Sequence, residues 1–127
     1  KKLIQKLDPN ILILVSGSIR KIISSCNLMI NIHVELMPST VLLEGLILKK
    51  AIMNVVMTDE ILKFQYVKDN AVLSISDKSN LTTPINDLLY NEEISQKLIQ
   101  NGQLHVKNFL ANPGNASKSL AEVINSI

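Results

Sequence analysis

The stretch that decides the fold runs from residue 38 to residue 50 and reads Pro38-Ser39-Thr40-Val41-Leu42-Leu43-Glu44-Gly45-Leu46-Ile47-Leu48-Lys49-Lys50. Ser39 and Thr40 are residue types that cap helix N-termini, because a hydroxyl oxygen can accept a hydrogen bond from the free N–H groups of the first turn. Between residues 41 and 48, every residue except Glu44 is apolar or glycine. The pattern therefore predicts a buried helix that carries one carboxylate.

Apolar runs of strand length lie on both sides of this helix, at residues 28–32 and 51–56, and two more lie at residues 11–15 and 72–75. The run at residues 11–15 is unbroken, which is typical of strands that are buried on both faces, as in parallel sheets. Strands that alternate with helices imply right-handed crossovers. The sequence therefore predicts an α/β fold built on an open parallel sheet.

The organisation of the chain changes after the predicted strands. Residues 82–127 contain only helical patterns, and we expect them to form a run of closing helices. The whole chain, residues 1–127, has the length of a single α/β domain. Because it begins at Lys1 with no initiator methionine, we interpret it as a fragment of a longer chain.

Composition excludes several classes of function. The net charge of the 127 residues is only +2, aromatic residues make up 3% and tryptophan is absent, so we expect no nucleic-acid partner. Cys26 is the single cysteine and the two histidines lack ligand spacing, which argues against a disulfide framework and a metal site. No apolar run reaches the roughly 20 residues of a transmembrane segment. Without an evident signal peptide, the expected location is cytoplasmic.

Three turns are expected at the carboxyl edge of the sheet, where open α/β folds bind ligands. They are residues 16–18, 33–40 and 57–60. The helix N-terminus at Ser39 and Thr40 offers free N–H groups that suit phosphate. Glu44 suits the two hydroxyls of a ribose. Two plainer interpretations stay open, namely ordinary capping by Ser39 or Thr40 and a carboxylate that reaches a neighbouring lysine. Together the two features favour nucleotide binding.

Other polar residues are weaker candidates. His33 follows the second predicted strand, where it could face the crevice, and Asp59 and Glu60 follow the third, where they could meet sugar hydroxyls. A structural histidine and a helix cap are the alternative interpretations of these residues. His105 lies in the last long helix, where we expect a core or surface role. The sequence contains no phosphate-binding glycine loop, and no catalytic triad can be assembled from it.

Several segments resemble the donor-binding domain of GT-B glycosyltransferases. The pattern is a helix ending before (D/N)-L-(V/I)-I, then S-S/T-x-x-x-E-A/G, then G-K-P leading into a strand. Lys49 and Ala51 stand where the pattern usually has its glycine and proline. The resemblance covers most of the chain from about Asn10 onward, and the same domain occurs in nucleotide-sugar 2-epimerases and glycerophosphotransferases. The segments that carry it are residues 22–30, 38–46, 49–52, 64–67, 70–72 and 84–127.

The resemblance implies a fold and a set of residue roles. The chain would be the C-terminal part of a Rossmann-like donor-binding domain, and a nucleotide-sugar would be its substrate, with no cofactor. Ser39 and Thr40 would meet the donor diphosphate, and Glu44 would hold the ribose. The turn formed by Ser16, Gly17 and Ser18 would border the base. The catalytic base stays unassigned.

The resemblance also implies a missing partner domain. An N-terminal acceptor-binding domain would complete the enzyme, so we expect this fragment alone to be inactive. In the family's usual strand order, the predicted strand at residues 11–15 is separated from the next strand by strands that this chain lacks. The fragment must then pair its sheet edges differently or form a homodimer. Two other functions stay open: a nucleotide-sugar 2-epimerase-like domain and a non-catalytic α/β module for protein association.

Overall fold

The computed structural model describes residues 6, 8–14, 16–34, 39–57, 64–76, 79–110 and 115–126. Three strands and six helices are numbered here in chain order within these residues. The strands are β1 (Leu28–His33), β2 (Ala51–Val56) and β3 (Leu73–Ile75), and the helices are α1 (Ile19–Ser25), α2 (Thr40–Ile47), α3 (Gln65–Lys68), α4 (Thr82–Tyr90), α5 (Glu92–Phe109) and α6 (Ala116–Asn125).

The three strands form one open parallel sheet in the order β1-β2-β3. Leu28 of β1 pairs with Ala51 of β2, and Met53 of β2 pairs with Leu73 of β3. Helix α2 connects β1 to β2, which is the strand–helix–strand unit predicted from residues 38–50. The α/β class and the parallel sheet are therefore confirmed.

Strand β2 is the centre of the core, and all six of its residues are buried. Ile52 packs with Leu42 and Leu46 of α2 on one face of the sheet. On the opposite face, Met53 packs with Leu88 of α4. The largely apolar sequence of β2, interrupted by Asn54, thus corresponds to a strand that is covered by a helix on each side.

Helix α2 lies unusually close to the sheet at Gly45. A Cβ atom at this position would lie 2.7 Å from Sδ of Met29 and 2.8 Å from Cδ1 of Ile52. Both neighbouring side chains belong to the sheet, on strands β1 and β2. A larger residue here would have to push the Met29 and Ile52 side chains aside, so glycine suits the close approach of the helix to the strands.

A row of polar side chains crosses the sheet on the face covered by α2. Asn54, which is fully buried in β2, accepts a hydrogen bond at Oδ1 from Nδ2 of Asn31 (2.7 Å). Its own Nδ2 donates to Oγ of Ser74 at 3.4 Å. One residue from each strand takes part, so the hydrogen bonds hold the buried amide of Asn54 and link all three strands.

Helix α2 ends in a Schellman turn that leads directly into β2. The N–H of Lys49 donates to the carbonyl of Leu46, and the N–H of Lys50 donates to the carbonyl of Gly45. Lys49 has a φ of 56°, the left-handed conformation that glycine usually supplies at this position. Nζ of Lys50 donates to the carbonyl of Cys26 (2.9 Å), which ties the end of α1 to this turn.

The predicted strand at residues 11–15 is wrong for the part that the structure describes. Residues 11–14 are not in a strand, and Leu12 is 78% exposed. The preceding turn is closed by Asn10, whose N–H donates to the Asp8 carboxylate (2.8 Å). Apolarity alone does not make a strand, because the backbone also needs a neighbouring strand for its hydrogen bonds.

The outer side of the sheet at β1 is apolar and exposed in the described part of the chain. Ile30 is 45% exposed and Ile32 is 65% exposed, both on the face opposite α2. Among the described residues, β1 pairs only with β2, so it forms an edge of the sheet. No helix in the described part is long and apolar enough to cross a membrane.

Candidate functional site

A cavity of about 400 Å³ lies beyond the carboxyl ends of the strands, against the face covered by α2. His33 is the last residue of β1 and so marks the carboxyl end of that strand. Its ring packs edge-on against Phe64, which lines the cavity, at a centroid distance of 5.5 Å. Three segments line it: the start of α2, the start of α3 and the end of α5. The lining residues are Ser39, Thr40, Leu43, Leu46, Phe64, Gln65, Tyr66, His105 and Phe109.

Ser39 and Thr40 bring the N-terminus of α2 to the cavity wall. Ser39 occupies the N-cap position with an extended backbone, but its hydroxyl makes no capping hydrogen bond. The first N–H groups of a helix carry the positive end of its dipole, which attracts anions. Ordinary side-chain capping by Ser39 is therefore not seen, and this hydroxyl is free to bind a ligand.

Aromatic rings form a continuous wall on the other side of the cavity. Phe64 stacks on Tyr66 with a centroid distance of 5.3 Å, and His105 stacks on Phe109 at the same distance. Tyr66 and His105 meet edge to face at 6.4 Å and join the two stacked pairs. Such ring arrangements have favourable geometry and give the wall a fixed shape.

A hydrogen bond with Asp69 fixes the orientation of His105. Nδ1 of His105 lies 2.7 Å from Oδ2 of Asp69, and the two side chains are 4% and 32% exposed. Gln65 donates from Nε2 to the second carboxylate oxygen of Asp69 at 2.6 Å. The hydrogen bonds from His105 and from Gln65 hold the pKa of Asp69 below its ordinary value of 3.8. A carboxylate can only accept, so Nδ1 carries the proton and Nε2 is the nitrogen left for another partner.

Tyr66 places a buried hydroxyl in the same wall. The side chain is 8% exposed, and its hydroxyl has no hydrogen-bond partner among the described residues. Burial raises the pKa of Tyr66 to about 12, so the group stays a neutral O–H donor at physiological pH. A buried hydroxyl without a partner is costly.

Glu44 lies one turn after Thr40 but is not among the residues that line the cavity. It is half-buried, and its Oε2 has no partner within the described part of the chain. Lys50, one of the two lysines considered for a pair with Glu44, donates instead to the carbonyls of Ser24 and Cys26. The carboxylate of Glu44 thus retains an unused acceptor.

The other residues predicted for the site are dispersed. Ser16, Gly17 and Ser18 are exposed, and none of them lines the cavity. His33 is buried behind Phe64, and its Nε2 is unpaired among the described residues. Asp59 and Glu60 lie outside the described residues, as does Pro38.

The sequence analysis missed the aromatic wall of the cavity. Phe64, Tyr66 and Phe109 are three of the four phenylalanine and tyrosine residues in the chain. Their clustering could indicate a site only after the contact between α3 and α5 was known. His105 was expected in the core or on the surface, and its pairing with Asp69 spans 36 positions of sequence.

The described residues contain no group of histidine, cysteine, aspartate and glutamate side chains that could hold a metal ion. Cys26 is a free, half-buried thiol that donates to the carbonyl of Ile23. Neither protein families, curated proteins nor solved structures gave a match when compared with the chain.

Proposed function

We propose that the chain is the nucleotide-sugar donor-binding part of a glycosyltransferase of the GT-B class. The observation that carries the proposal is the cavity at the N-terminus of α2. Ser39 and Thr40 line it, and the hydroxyl of Ser39 is not used for capping. The site lies beyond the carboxyl ends of parallel strands, where open α/β folds bind nucleotides.

The turn after α2 supports the resemblance on physical grounds. Lys49 stands where the glycosyltransferase pattern usually has glycine, and its φ of 56° is a conformation that glycine adopts without steric cost. The backbone of this chain thus keeps the shape that the usual glycine favours. Lys49 therefore differs from the glycine of the pattern in its side chain, and the backbone path into β2 is the one that glycine favours.

In the proposed reaction, the bond between the anomeric carbon of the sugar and the diphosphate breaks while an acceptor hydroxyl attacks that carbon. The diphosphate leaves with the bonding electron pair and gains negative charge. N–H groups and hydroxyls at the start of α2 stabilise this charge, because the helix holds them in place before the reaction begins. The group that removes the acceptor proton is not assigned in this chain.

Nucleotide titration of a serine variant tests the proposal. We expect UDP, GDP or CDP to bind the chain in calorimetry, and Ser39→Ala to weaken that binding by roughly 1.5–3 kcal/mol, the range for a hydrogen bond to a charged group. The melting temperature of Ser39→Ala should be unchanged, because the hydroxyl makes no capping bond. Ser126→Ala, at the other end of the chain, is the control. Equal binding by Ser39→Ala and the unaltered chain would contradict a diphosphate contact at this residue.

A further inference from the structure

We propose that the open edge of β1 is an interaction surface for a second copy of this chain. In the dimer, the two β1 strands pair antiparallel about a two-fold axis, so that the two parallel sheets become one continuous sheet. The inference goes beyond the proposed function and does not depend on it, because no residue of β1 lines the cavity.

Every second residue of β1 directs its backbone groups to the open edge. The carbonyl of His33 accepts a hydrogen bond from the N–H of Met57, the residue that follows β2. His33 therefore points its backbone groups at β2, and so do the residues two and four positions before it, because the groups alternate sides along a strand. The N–H and C=O groups of Ile30 and Ile32 point the other way. They have no hydrogen-bond partner in the described part of the chain.

The residues with free backbone groups also expose apolar side chains. Ile30 and Ile32 lie on the face opposite α2, and Val34, which is 63% exposed, continues this stripe on the same face. Helix α4 covers the same face of the sheet at β2, where Leu88 packs against Met53. An added strand would therefore receive hydrogen bonds from the edge and apolar contacts from the stripe at the same time.

The edge of β1 lacks the features that keep sheet edges from pairing. Proteins protect such edges with lysine, proline, bulges or very short strands. Residues 27–34 contain no lysine, proline or glycine, and the register of β1 against β2 runs without a bulge from Leu28 to His33. The opposite edge of the sheet, β3, has only three residues. Of the two edges, β1 is therefore the one suited to a further strand.

An antiparallel register centred on Asn31 makes β1 complementary to itself. It places Ile30 opposite Ile32 of the second copy and Leu28 opposite Val34. These pairs exchange hydrogen bonds, because the backbone groups of all four residues point outward, and each pair joins two apolar side chains. No like charges meet, since residues 28–34 contain no lysine, arginine, aspartate or glutamate. A two-fold axis brings the same surface of both copies together, as this register requires.

Asn31 lies on the two-fold axis with a donor and an acceptor to spare. Its Nδ2 donates one hydrogen to Asn54, and its Oδ1 accepts no hydrogen bond within the described residues. An amide can donate two hydrogens and accept at its oxygen, so two Asn31 side chains can bond to each other across the axis. The polar row through Asn54 and Ser74 would then continue into the second copy. Symmetry supplies the matching amide, which favours a second copy over an unrelated strand.

Analytical ultracentrifugation of the 127-residue chain measures the association. We expect a dimer whose dissociation constant rises roughly tenfold or more in Ile32→Lys, because a lysine on an edge strand opposes pairing. Leu12→Lys is the matched control. It makes the same kind of change at a 78% exposed position outside the sheet and should leave the dimer unchanged. A chain that stays monomeric at millimolar concentration, or a dimer that Ile32→Lys does not weaken, would overturn the proposal.

Cysteine cross-linking tests the register, with Cys26→Ser in every variant to remove the native thiol. A mixture of Ile30→Cys and Ile32→Cys chains should form a disulfide between copies, because opposite residues have Cα atoms about 5.5 Å apart. Ile30→Cys alone should stay reduced, since its two copies would lie beyond the roughly 7 Å that a disulfide spans. A dimer whose mixed chains form no disulfide would associate through another surface, and that result would overturn the pairing of β1.

Discussion

Asp69 and His105 are joined by a 2.7 Å contact between Oδ2 and Nδ1, although 36 positions separate them in the sequence. The contact connects the end of α3 to the last turns of α5. It also fixes a ring of the cavity wall, since His105 stacks on Phe109. One hydrogen bond therefore serves both the packing of two helices and the shape of the candidate site.

The Asp69–His105 pair should make stability depend on pH in acid. The pKa of Asp69 is lowered in the folded chain by its hydrogen bonds from His105 and Gln65. Its contribution is thus fully present above the ordinary pKa of 3.8 and is lost as the pH falls through the lower folded value. We expect Asp69→Asn to melt below the unaltered chain at pH 5–7, with a difference that shrinks below pH 3.8.

Melting curves of both proteins between pH 2 and pH 7 measure this difference. Asp87→Asn, in α4, is the control, because Asp87 takes no part in the hydrogen bonds that His105 and Gln65 make to Asp69. If the difference in melting temperature between Asp69→Asn and the unaltered chain stays constant from pH 2 to pH 7, the ionisation of Asp69 does not stabilise the fold.

Replacing Lys49 by glycine should stabilise the chain. A non-glycine residue in the left-handed region costs roughly 1–2 kcal/mol. Glycine removes this cost, but it also gains freedom in the unfolded chain, so only part of the energy is recovered. We therefore expect Lys49→Gly to raise the free energy of unfolding by about 0.5–1 kcal/mol in urea denaturation. Lys107→Gly, inside α5, should instead lower it by about 1 kcal/mol. A loss of stability in both variants would contradict strain at Lys49.

The sequence predicted most of the fold because its signals are local. The strand at residues 28–32 was found at Leu28–His33, and the one at residues 51–56 was found at the same residues. The predicted helix at residues 38–50 was found as Thr40–Ile47, since a Schellman turn ends it before Lys49. The strand predicted at residues 11–15 was not found over its described part. Strand formation depends on a partner strand, which apolarity does not reveal.

The candidate site was less predictable because it is assembled from distant segments. Ser39 was identified from a local property, namely its place at a helix start. Tyr66 and His105 become functional candidates only through the packing of α3 against α5, which no spacing in the sequence encodes. The role of Asp69 likewise depends on a contact across the fold.

The polar row across the sheet should be important for stability. Asn54→Ala removes the hydrogen bonds to Asn31 and Ser74 and leaves the half-buried polar ends of these two side chains without that partner. Each such loss costs roughly 1–3 kcal/mol, so we expect a decrease of that order in the free energy of unfolding. Asn86→Ala, on the exposed side of α4, should stay within about 0.5 kcal/mol of the unaltered chain. Equal unfolding midpoints for the two variants in urea would count against a structural role of the row.

Glu44 tests the ribose contact of the proposed nucleotide. If its carboxylate accepts two ribose hydroxyls, Glu44→Gln should weaken UDP, GDP or CDP binding by roughly 1.5–3 kcal/mol, which is about ten- to over a hundredfold in affinity. Oε2 of Glu44 is buried without a partner among the described residues. A neutral amide is less costly to bury than an unpaired carboxylate, so the melting temperature should stay the same or rise.

Calorimetric titration and a melting curve for each protein separate the two roles of Glu44. The matched control is Glu122→Gln, which alters an exposed carboxylate of α6 and should change neither quantity. If Glu44 is paired internally instead, Glu44→Gln lowers the melting temperature and leaves the affinity alone. That combination would remove the ribose contact from the proposed site. It would leave the titration of Ser39→Ala to decide whether the cavity binds a nucleotide.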